Sequence, residues 1–260
     1  MTKFLIFFLI VFLNYKHAIS RNIGETEITT EDGIEVFQEE KYYLLKKNVE
    51  ILSDQLELKG QFVQIYFEQD LYDIKKLIAN DDVDFSSKEY NIKGKGDGLK
   101  FDIVSQEIIV NGANSELFLE TTKMFSDGII KVDNLNGSFL IDGNNSKLIS
   151  DNIFILGSKI NGIFEIIDGK KNISNLEVQD QNIINIKTDD IDMFSKKAVY
   201  DKKKSIIELF EEVKIIRGSE VITGDYGILD TNKDSYKVSS KNSKKVKVII
   251  SNTKWINFNY

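Results

Sequence analysis

The stretch VEILSDQLELKG at residues 49–60 contains the pattern that decides the fold. Apolar and polar side chains alternate from Val49, a polar turn follows, and the alternation resumes before Gly60. The same phrase returns as VDFSSKEYNIKG at 83–94, as VKIIRGSEVITG at 213–224, and as INIKTDDIDMFS at 184–195 with a serine in the glycine position. Alternation closed by a turn-forming residue is typical of a half-buried β-strand. Its recurrence predicts strands stacked side by side.

Strand-like alternation extends over nearly the whole chain, with Gly, Asn and Asp between the segments. Segments that recur every 8 to 12 residues or so are typical of an all-β sandwich or jelly roll. Only Gln69–Ala79 also has apolar residues at helical spacing, and its flanking strands favour a strand there too. We therefore predict an all-β fold, an elongated open antiparallel β jelly roll.

Residues 1–20 have the features of a cleaved secretory signal peptide. Lys3 precedes an apolar run from Phe4 to Leu13, and the small residues Ala18 and Ser20 occupy the positions that a signal peptidase reads. The run is too short for a membrane-spanning helix, which needs about 20 residues. An uncleaved N-terminal anchor remains the alternative. Without such an anchor, we predict a protein of the periplasm of a Gram-negative bacterium.

The composition excludes several classes of active site. The chain has no Cys, and its single His is His17, inside the predicted signal peptide. Thiol and imidazole nucleophiles and His- or Cys-ligated metal sites are therefore excluded from the mature chain. A net charge of −7 makes nucleic acid a poor partner. A glycan hydrolase that uses only carboxylates remains an alternative.

The repeat continues beyond its glycine, and the continuation resembles a known family. Residues 195–201 read SKKAVYD, and residues 224–230 read GDYGILD at the same place in the next unit. Each is followed by a turn and further apolar positions. This pattern resembles the OstA-type repeat of LptA-like periplasmic lipopolysaccharide-transport proteins. The resemblance is best over 182–250, fair over 49–119, and poor between them.

The resemblance implies a function without catalysis or a cofactor. Members of the family carry lipopolysaccharide from the inner to the outer membrane, with the acyl chains of lipid A held in an apolar trough. Their domains join through edge strands to inner-membrane LptC-like and outer-membrane LptD-like proteins, or head to tail with further copies. A structural or adhesive exported β-protein, or an LptC-like anchored subunit of the same pathway, is the alternative.

The apolar repeat positions are the candidate lipid-binding residues. Alternation has the same form whether a strand faces lipid or an ordinary core, so the lipid role comes from the family resemblance. Phe85 and Phe101 are the strongest candidates because the other copies of the repeat do not need an aromatic side chain there. The full set is Val49, Ile51, Phe67, Val83, Phe85, Phe101, Ile184, Ile186, Val213 and Ile215.

Three further motifs give weaker signals. The run GKGDG at 94–98 resembles a phosphate-binding loop, but a strand follows it where such loops need a helix. Residues 188–192 gather three aspartates without the glycine and distal Glu of a calcium loop. Lysines at 202–204 and at 244, 245 and 247 can meet lipid phosphates, although lysine runs are usually solvated turns.

The predicted organisation is one mature domain over 21–250, with a divergent middle at 134–180 and a C-terminal edge strand or tail at 251–260. The tail, WINFNY at 255–260, alternates apolar residues and ends on an aromatic. An open jelly roll leaves unpaired strands at its ends, which can accept another chain. We expect the strands near Val49 and the segment Lys245–Tyr260 to form these edges.

The predicted signal peptide leads to a direct test. Cleavage after Ser20 should leave Arg21 as the mature N-terminus, and osmotic shock should release the protein with the periplasmic fraction. N-terminal sequencing of the released protein checks the cleavage site. Recovery only in membranes, with Met1 intact, would contradict cleavage and favour the anchored alternative.

Overall fold

The computed structural model describes residues 22–69, 73–151, 153–240 and 245–251, and these residues form antiparallel β-structure. The strands are β1 Glu27–Thr29, β2 Ile34–Phe37, β3 Tyr42–Leu52, β4 Leu56–Phe67, β5 Ile74–Ser87, β6 Ile92–Asp102, β7 Glu107–Asn111, β8 Ser115–Leu119, β9 Thr122–Ser126, β10 Ile129–Asp133, β11 Ser138–Ser150, β12 Ile153–Ile167, β13 Lys170–Lys187, β14 Ile191–Asp201, β15 Ile206–Arg217, β16 Glu220–Asp230, β17 Ser235–Ser239 and β18 Lys247–Ile250. Within these ranges, no helix has the length and apolar character needed to cross a bilayer.

Each long strand bends near its middle. The pairing of β3 with β4 shifts register between Lys46 and Val49, and similar shifts occur along β4–β5, β5–β6 and all pairs from β11 to β16. Such irregularities bend a strand and increase its twist. The bends divide the protein into two layers. Half-sheet A contains β2, β7, β10 and β17 with one half of each long strand, and half-sheet B contains β1, β8, β9 and β18 with the other halves.

The chain is a meander in which every bent strand pairs with its neighbours in sequence. Two of the bent strands are interrupted. One consists of β7 in half-sheet A and β8 in half-sheet B, since both pair with β6. The other consists of β9 in half-sheet B and β10 in half-sheet A, since both pair with β11. The divergent middle continues the same architecture as β11 to β13. The prediction of an all-β antiparallel fold is confirmed.

The recurring phrase marks the bend. Val49 lies opposite Gly60 on the next strand, and Val213 lies opposite Gly224, each pair directly beside the register shift. Two consecutive polar residues with left-handed backbone precede each valine, such as Lys47 with φ 66° and Asn48 with φ 50°. Asp81–Asp82 and Glu211–Glu212 repeat this arrangement. Because non-glycine residues rarely adopt this conformation, the packing on both sides must hold the bend in place.

One copy of the phrase has a different register. Val83 pairs with Gly96, and Gly94 instead lies opposite Phe85. A Cβ on Gly94 would lie 2.5 Å from Cε1 of that ring. The glycine therefore makes room for the aromatic side chain. Phe139 covers Gly162 in the same way across β11 and β12.

The hydrophobic core fills the space between the half-sheets. Along each strand, alternate residues point inward and are buried, as Leu58, Val63 and Ile65 are in β4. The outer faces carry cross-strand ion pairs such as Lys59–Glu50, at 2.6 Å. Exposed pairs of this kind contribute about 0–1 kcal/mol each, so the buried face supplies most of the stabilisation.

Several sequence-based expectations change. The helical alternative for Gln69–Ala79 is wrong from Ile74 onward, where β5 begins, and residues 94–98 lie inside β6 rather than in a phosphate-binding loop. β3 is paired on both sides, so the strands near Val49 are not the N-terminal edge; β1 and β2 form it instead. The signal peptide at 1–20 and the tail at 252–260 lie outside the described residues.

Gly94 provides a test of the bent architecture. Gly94→Ala places a methyl group against Phe85 and 2.9 Å from the carbonyl oxygen of Glu116, so it should lower the free energy of unfolding by about 1–3 kcal/mol. Gly60→Ala is the matched control because its nearest contact, at 3.5 Å, is an ordinary one. Urea denaturation followed by circular dichroism measures both. Equal midpoints for the two variants would contradict the predicted close approach.

Candidate functional site

A cavity of about 390 Å³ lies between the half-sheets in the C-terminal half of the molecule. It opens at the gap between two rows of hairpin turns, which we call the mouth. Lip A is the row of turns on half-sheet A, including 134–137, 202–205 and 231–234. Lip B is the row on half-sheet B, including 88–91, 120–121, 188–190 and 218–219. Volumes of about 300–1,000 Å³ are typical of pockets that hold small molecules.

The walls of the cavity are apolar. Half-sheet B contributes aliphatic side chains from β12 to β14, and half-sheet A contributes them from β13 to β16. These residues occupy inward-facing positions on their strands, so the alternation that builds the core elsewhere lines a space here. The apolar wall residues are Ile153, Ile155, Ile173, Leu176, Ile186, Ile191, Ala198, Ile207 and Leu229.

Tyr200 combines the apolar wall with a polar group. Its ring packs against the core, and burial raises the pKa of its phenol. A phenol that stays neutral is compatible with apolar walls and can still donate a hydrogen bond. The cavity can therefore hold an aliphatic group and offer one donor near its opening.

The rim of the cavity is rich in charged side chains. Asp151, Asp190, Asp230 and Asp234 line it together with Lys202. Neighbouring lysines partly balance this charge: Lys233 contacts Asp230 at 3.0 Å and its hydrogen bond lowers the pKa of that carboxyl. Lys202 is itself paired with Glu165 at 2.9 Å. The rim thus keeps polar groups at the opening while the interior stays apolar.

Contacts between the lips bound the cavity on both sides. On the C-terminal side, Arg217 of lip B binds Asp234 of lip A at 2.5 Å. Beside this pair, the Tyr236 hydroxyl donates to the Glu220 carboxylate at 2.5 Å. On the other side, Glu120 of lip B accepts a hydrogen bond from the backbone N–H of Lys171, at 3.0 Å. The opening lies between these two closures.

Aromatic side chains seal the N-terminal half. Tyr90, in lip B, packs edge-on against Phe101 of half-sheet A with ring centroids 5.2 Å apart. Tyr43 packs on Phe67 with centroids 4.9 Å apart. These rings occupy the space between the half-sheets that the cavity occupies in the C-terminal half.

The predicted lipid-binding residues therefore lie in different surroundings. Ile186 lines the cavity. The other nine are buried in the core with 5% exposure or less: Val49, Ile51, Phe67, Val83, Phe85, Phe101, Ile184, Val213 and Ile215. None of the nine lines this cavity. Their role as lipid contacts stays a prediction.

The repeat contains a sequence signal for some of the residues that line the cavity. Ala198 and Tyr200 belong to the SKKAVYD stretch at 195–201. Leu229 occupies the position of Tyr200 in the GDYGILD stretch at 224–230. Ala198 is smaller than Val178 and Leu209, the two residues with which it pairs. Among the described residues, no group of three or more His, Cys, Asp or Glu side chains is placed to hold a metal ion.

Comparisons with known proteins identify a similar structure but no sequence relative. No family model matches the sequence, and no curated protein matches it. The fold is similar to the crystal structure of LptH, the LptA-homologous periplasmic component of the lipopolysaccharide transport device of Pseudomonas aeruginosa. The likeness covers 50% of this chain and 95% of LptH, with 11% identity and a TM-score of 0.41. The fold assignment itself rests on the strand registers.

The Tyr236–Glu220 contact should make stability depend on pH. The hydrogen bond to Glu220, with burial, raises the pKa of Tyr236 above its ordinary value. The contact is therefore intact below the unfolded-state value of about 10 and is lost as the pH rises through the folded value. As the pH rises above about 10, wild type should lose more stability than Tyr236→Phe. Urea midpoints across the range measure the difference.

Tyr66→Phe is the control for this experiment, since Tyr66 lies on the outer face of β4. It should follow the wild-type profile. Parallel profiles for wild type and Tyr236→Phe would show that the hydroxyl does not hold the lips together.

Proposed function

We propose that this protein is a periplasmic lipopolysaccharide-binding protein that carries lipopolysaccharide between the inner and outer membranes without chemical conversion. An acyl chain would lie in the cavity between the half-sheets, and the polar head group would remain outside the mouth. The apolar cavity beneath a charged rim is the observation that carries the proposal. The resemblance of the repeat to OstA-type units identifies lipopolysaccharide as the lipid.

The energetics favour an acyl chain as the occupant. Burying one methylene group contributes about 0.8 kcal/mol, so a chain of several methylenes gains more than a single polar contact supplies. The aspartates on the rim do not attract the phosphates of lipid A. Binding by the acyl chain, with the phosphates in solvent or near Lys202, is therefore the arrangement that the site supports.

The ends of the sheet support a bridging role. Among the described residues, β1 and β2 pair only with β3, and β18 pairs only with β16. Ile34 and Val36 at one end, and Val248 and Ile250 at the other, are exposed. Exposed apolar edge strands readily accept another strand. We propose that these edges pair with LptC-like and LptD-like proteins, or with a second copy head to tail.

A structural role for part of the molecule is the second candidate. The sealed N-terminal half, with Tyr90 against Phe101, favours it because those side chains fill the space that a lipid would need. In this alternative the protein is an exported β-protein whose cavity has no lipid ligand. A measurement of lipid binding by the C-terminal half distinguishes the two candidate functions.

Filling the cavity should weaken lipid binding. Ala198→Phe places a ring among the wall residues and displaces at least two methylene contacts, so affinity for a fluorescent fatty acid should fall at least tenfold; each tenfold corresponds to about 1.4 kcal/mol. Val199→Phe adds the same ring on the opposite face of the same strand and should bind like wild type. Circular dichroism confirms that both variants are folded.

A second measurement identifies the natural lipid. A photo-crosslinking residue at Ile153, on the cavity wall, should capture lipopolysaccharide in the periplasm, and one at Lys203, on a solvent-exposed turn, should not. Equal binding by wild type and Ala198→Phe would exclude the cavity as the site. Capture at Lys203 as strong as at Ile153 would indicate nonspecific adsorption.

A further inference from the structure

The hairpin formed by the ends of β12 and β13 extends beyond its neighbours. β11 pairs with β12 only as far as Ile163, and β14 pairs with β13 only from Asn175 onward. Between these points, residues 164–173 form strand pairs only with each other within the described part of the chain, from Phe164 opposite Ile173 to Ile167 opposite Lys170. At the base of this segment, the Phe164 N–H donates to the carbonyl oxygen of Gly137 at 2.7 Å. We call residues 164–173 the flap. It belongs to the middle segment, where the repeat phrase is absent.

The flap bends where it leaves half-sheet A. The register of β12 and β13 shifts between Ile163 and Phe164, which leaves Ser174 as the extra residue of a bulge. Ser174 is buried, and its hydroxyl donates to the carbonyl oxygen of Ile163 at 3.1 Å. A bulge of this kind redirects a hairpin and interrupts its ladder of hydrogen bonds. The bulge gives the flap a defined hinge.

The bend directs the flap from lip A across the mouth to lip B. There the backbone N–H of Lys171 donates to the carboxylate of Glu120, at 3.0 Å. The side chain of Lys171 points back toward lip A, where its ammonium group donates a hydrogen bond to the side-chain oxygen of Asn134. Burial lowers the pKa of Lys171 although Glu120 opposes this shift, as expected for an ammonium group covered by the flap.

The flap contributes to the wall and rim of the cavity. Phe164 and Ile173 lie opposite each other and share one face of the hairpin, where Ile173 lines the cavity and the Phe164 ring packs on Phe139 with centroids 4.7 Å apart. Farther along this face, Ile166 is 74% exposed. On the other face, Asn172 also lines the cavity. Glu165 contacts Lys202 on the neighbouring turn at 2.9 Å. Within the described part of the chain, these contacts and the two hydrogen bonds of Lys171 hold the flap beyond Phe164.

We propose that the flap is a movable lid that controls access of an acyl chain to the cavity, with its hinge at Ser174 and its latch at Glu120. This inference rests on the proposed lipid binding. A segment held by few contacts opens locally without unfolding the protein. Opening would withdraw Ile173 and Asn172 from the cavity wall and extend the cavity toward Phe139. Closing would cover a bound chain and slow its release.

The latch can be tested by variants that keep the fold. Glu120→Ala removes the acceptor for the Lys171 N–H, and Glu120→Gln retains a side-chain oxygen at the same place. In Glu120→Ala, amide hydrogen exchange in residues 165–172 should be at least tenfold faster, with no change in β4. A fluorescent fatty acid should dissociate at least threefold faster from this variant. Glu120→Gln should behave like wild type in both measurements.

Locking the lid gives the converse test. Because the chain has no cysteine, the double variant Glu120→Cys, Lys171→Cys can be joined selectively by a short bismaleimide. The cross-linked protein should take up and release the fatty acid at least tenfold more slowly than the same variant before cross-linking. Cross-linking a control pair on the outer face of half-sheet B, Glu50→Cys with Lys59→Cys, should leave the rates unchanged, since these side chains already touch across β3 and β4.

The outcomes separate the lid from the proposed function. Binding by wild type with rates insensitive to Glu120→Ala and to the cross-link would overturn the lid and leave lipid binding intact. Unchanged hydrogen exchange in Glu120→Ala would overturn the latch. If wild type does not bind the fatty acid at all, the proposed function fails, and the lid fails with it as a gate for that ligand.

Discussion

The bend in the middle of each strand is the constraint on which the rest of the structure depends. It converts one meander into two facing layers, so that a single row of apolar residues per strand meets its counterpart across the core. Val49 opposite Gly60 shows how the bend is built, with two left-handed residues before the valine. A slip of one residue would turn every inward side chain outward. Packing on both sides of the bend therefore fixes the register.

Because each strand pairs only with its neighbours in sequence, the architecture tolerates local variation. The β12–β13 hairpin extends past the strands beside it without disturbing either neighbour. In repeat-like proteins, stability is close to a sum of contributions from adjacent units. The middle segment can thus lose the repeat phrase, keep the bend, and add a flap over the mouth.

Charge and apolar surface are arranged differently at the mouth and in the interior. Cross-mouth contacts such as Arg217–Asp234 and Glu120–Lys171 are partly exposed, so salt and solvent weaken them, whereas the walls are aliphatic. If an acyl chain binds as proposed, its exchange would therefore involve the lips and the flap, with the bends acting as the fixed frame.

The alternation of apolar and polar residues determined the all-β fold and the repeat. It also determined that residues such as Phe85 and Val213 are buried. That pattern has the same form for a residue that packs in a core and one that lines a cavity. Tertiary structure decided between them: Tyr90 fills the space beside Phe101 in one half, and side chains such as Ile173 and Ala198 line an open space in the other. The flap also depended on tertiary structure, because its contact joins residues 51 positions apart, beyond the reach of any local periodicity.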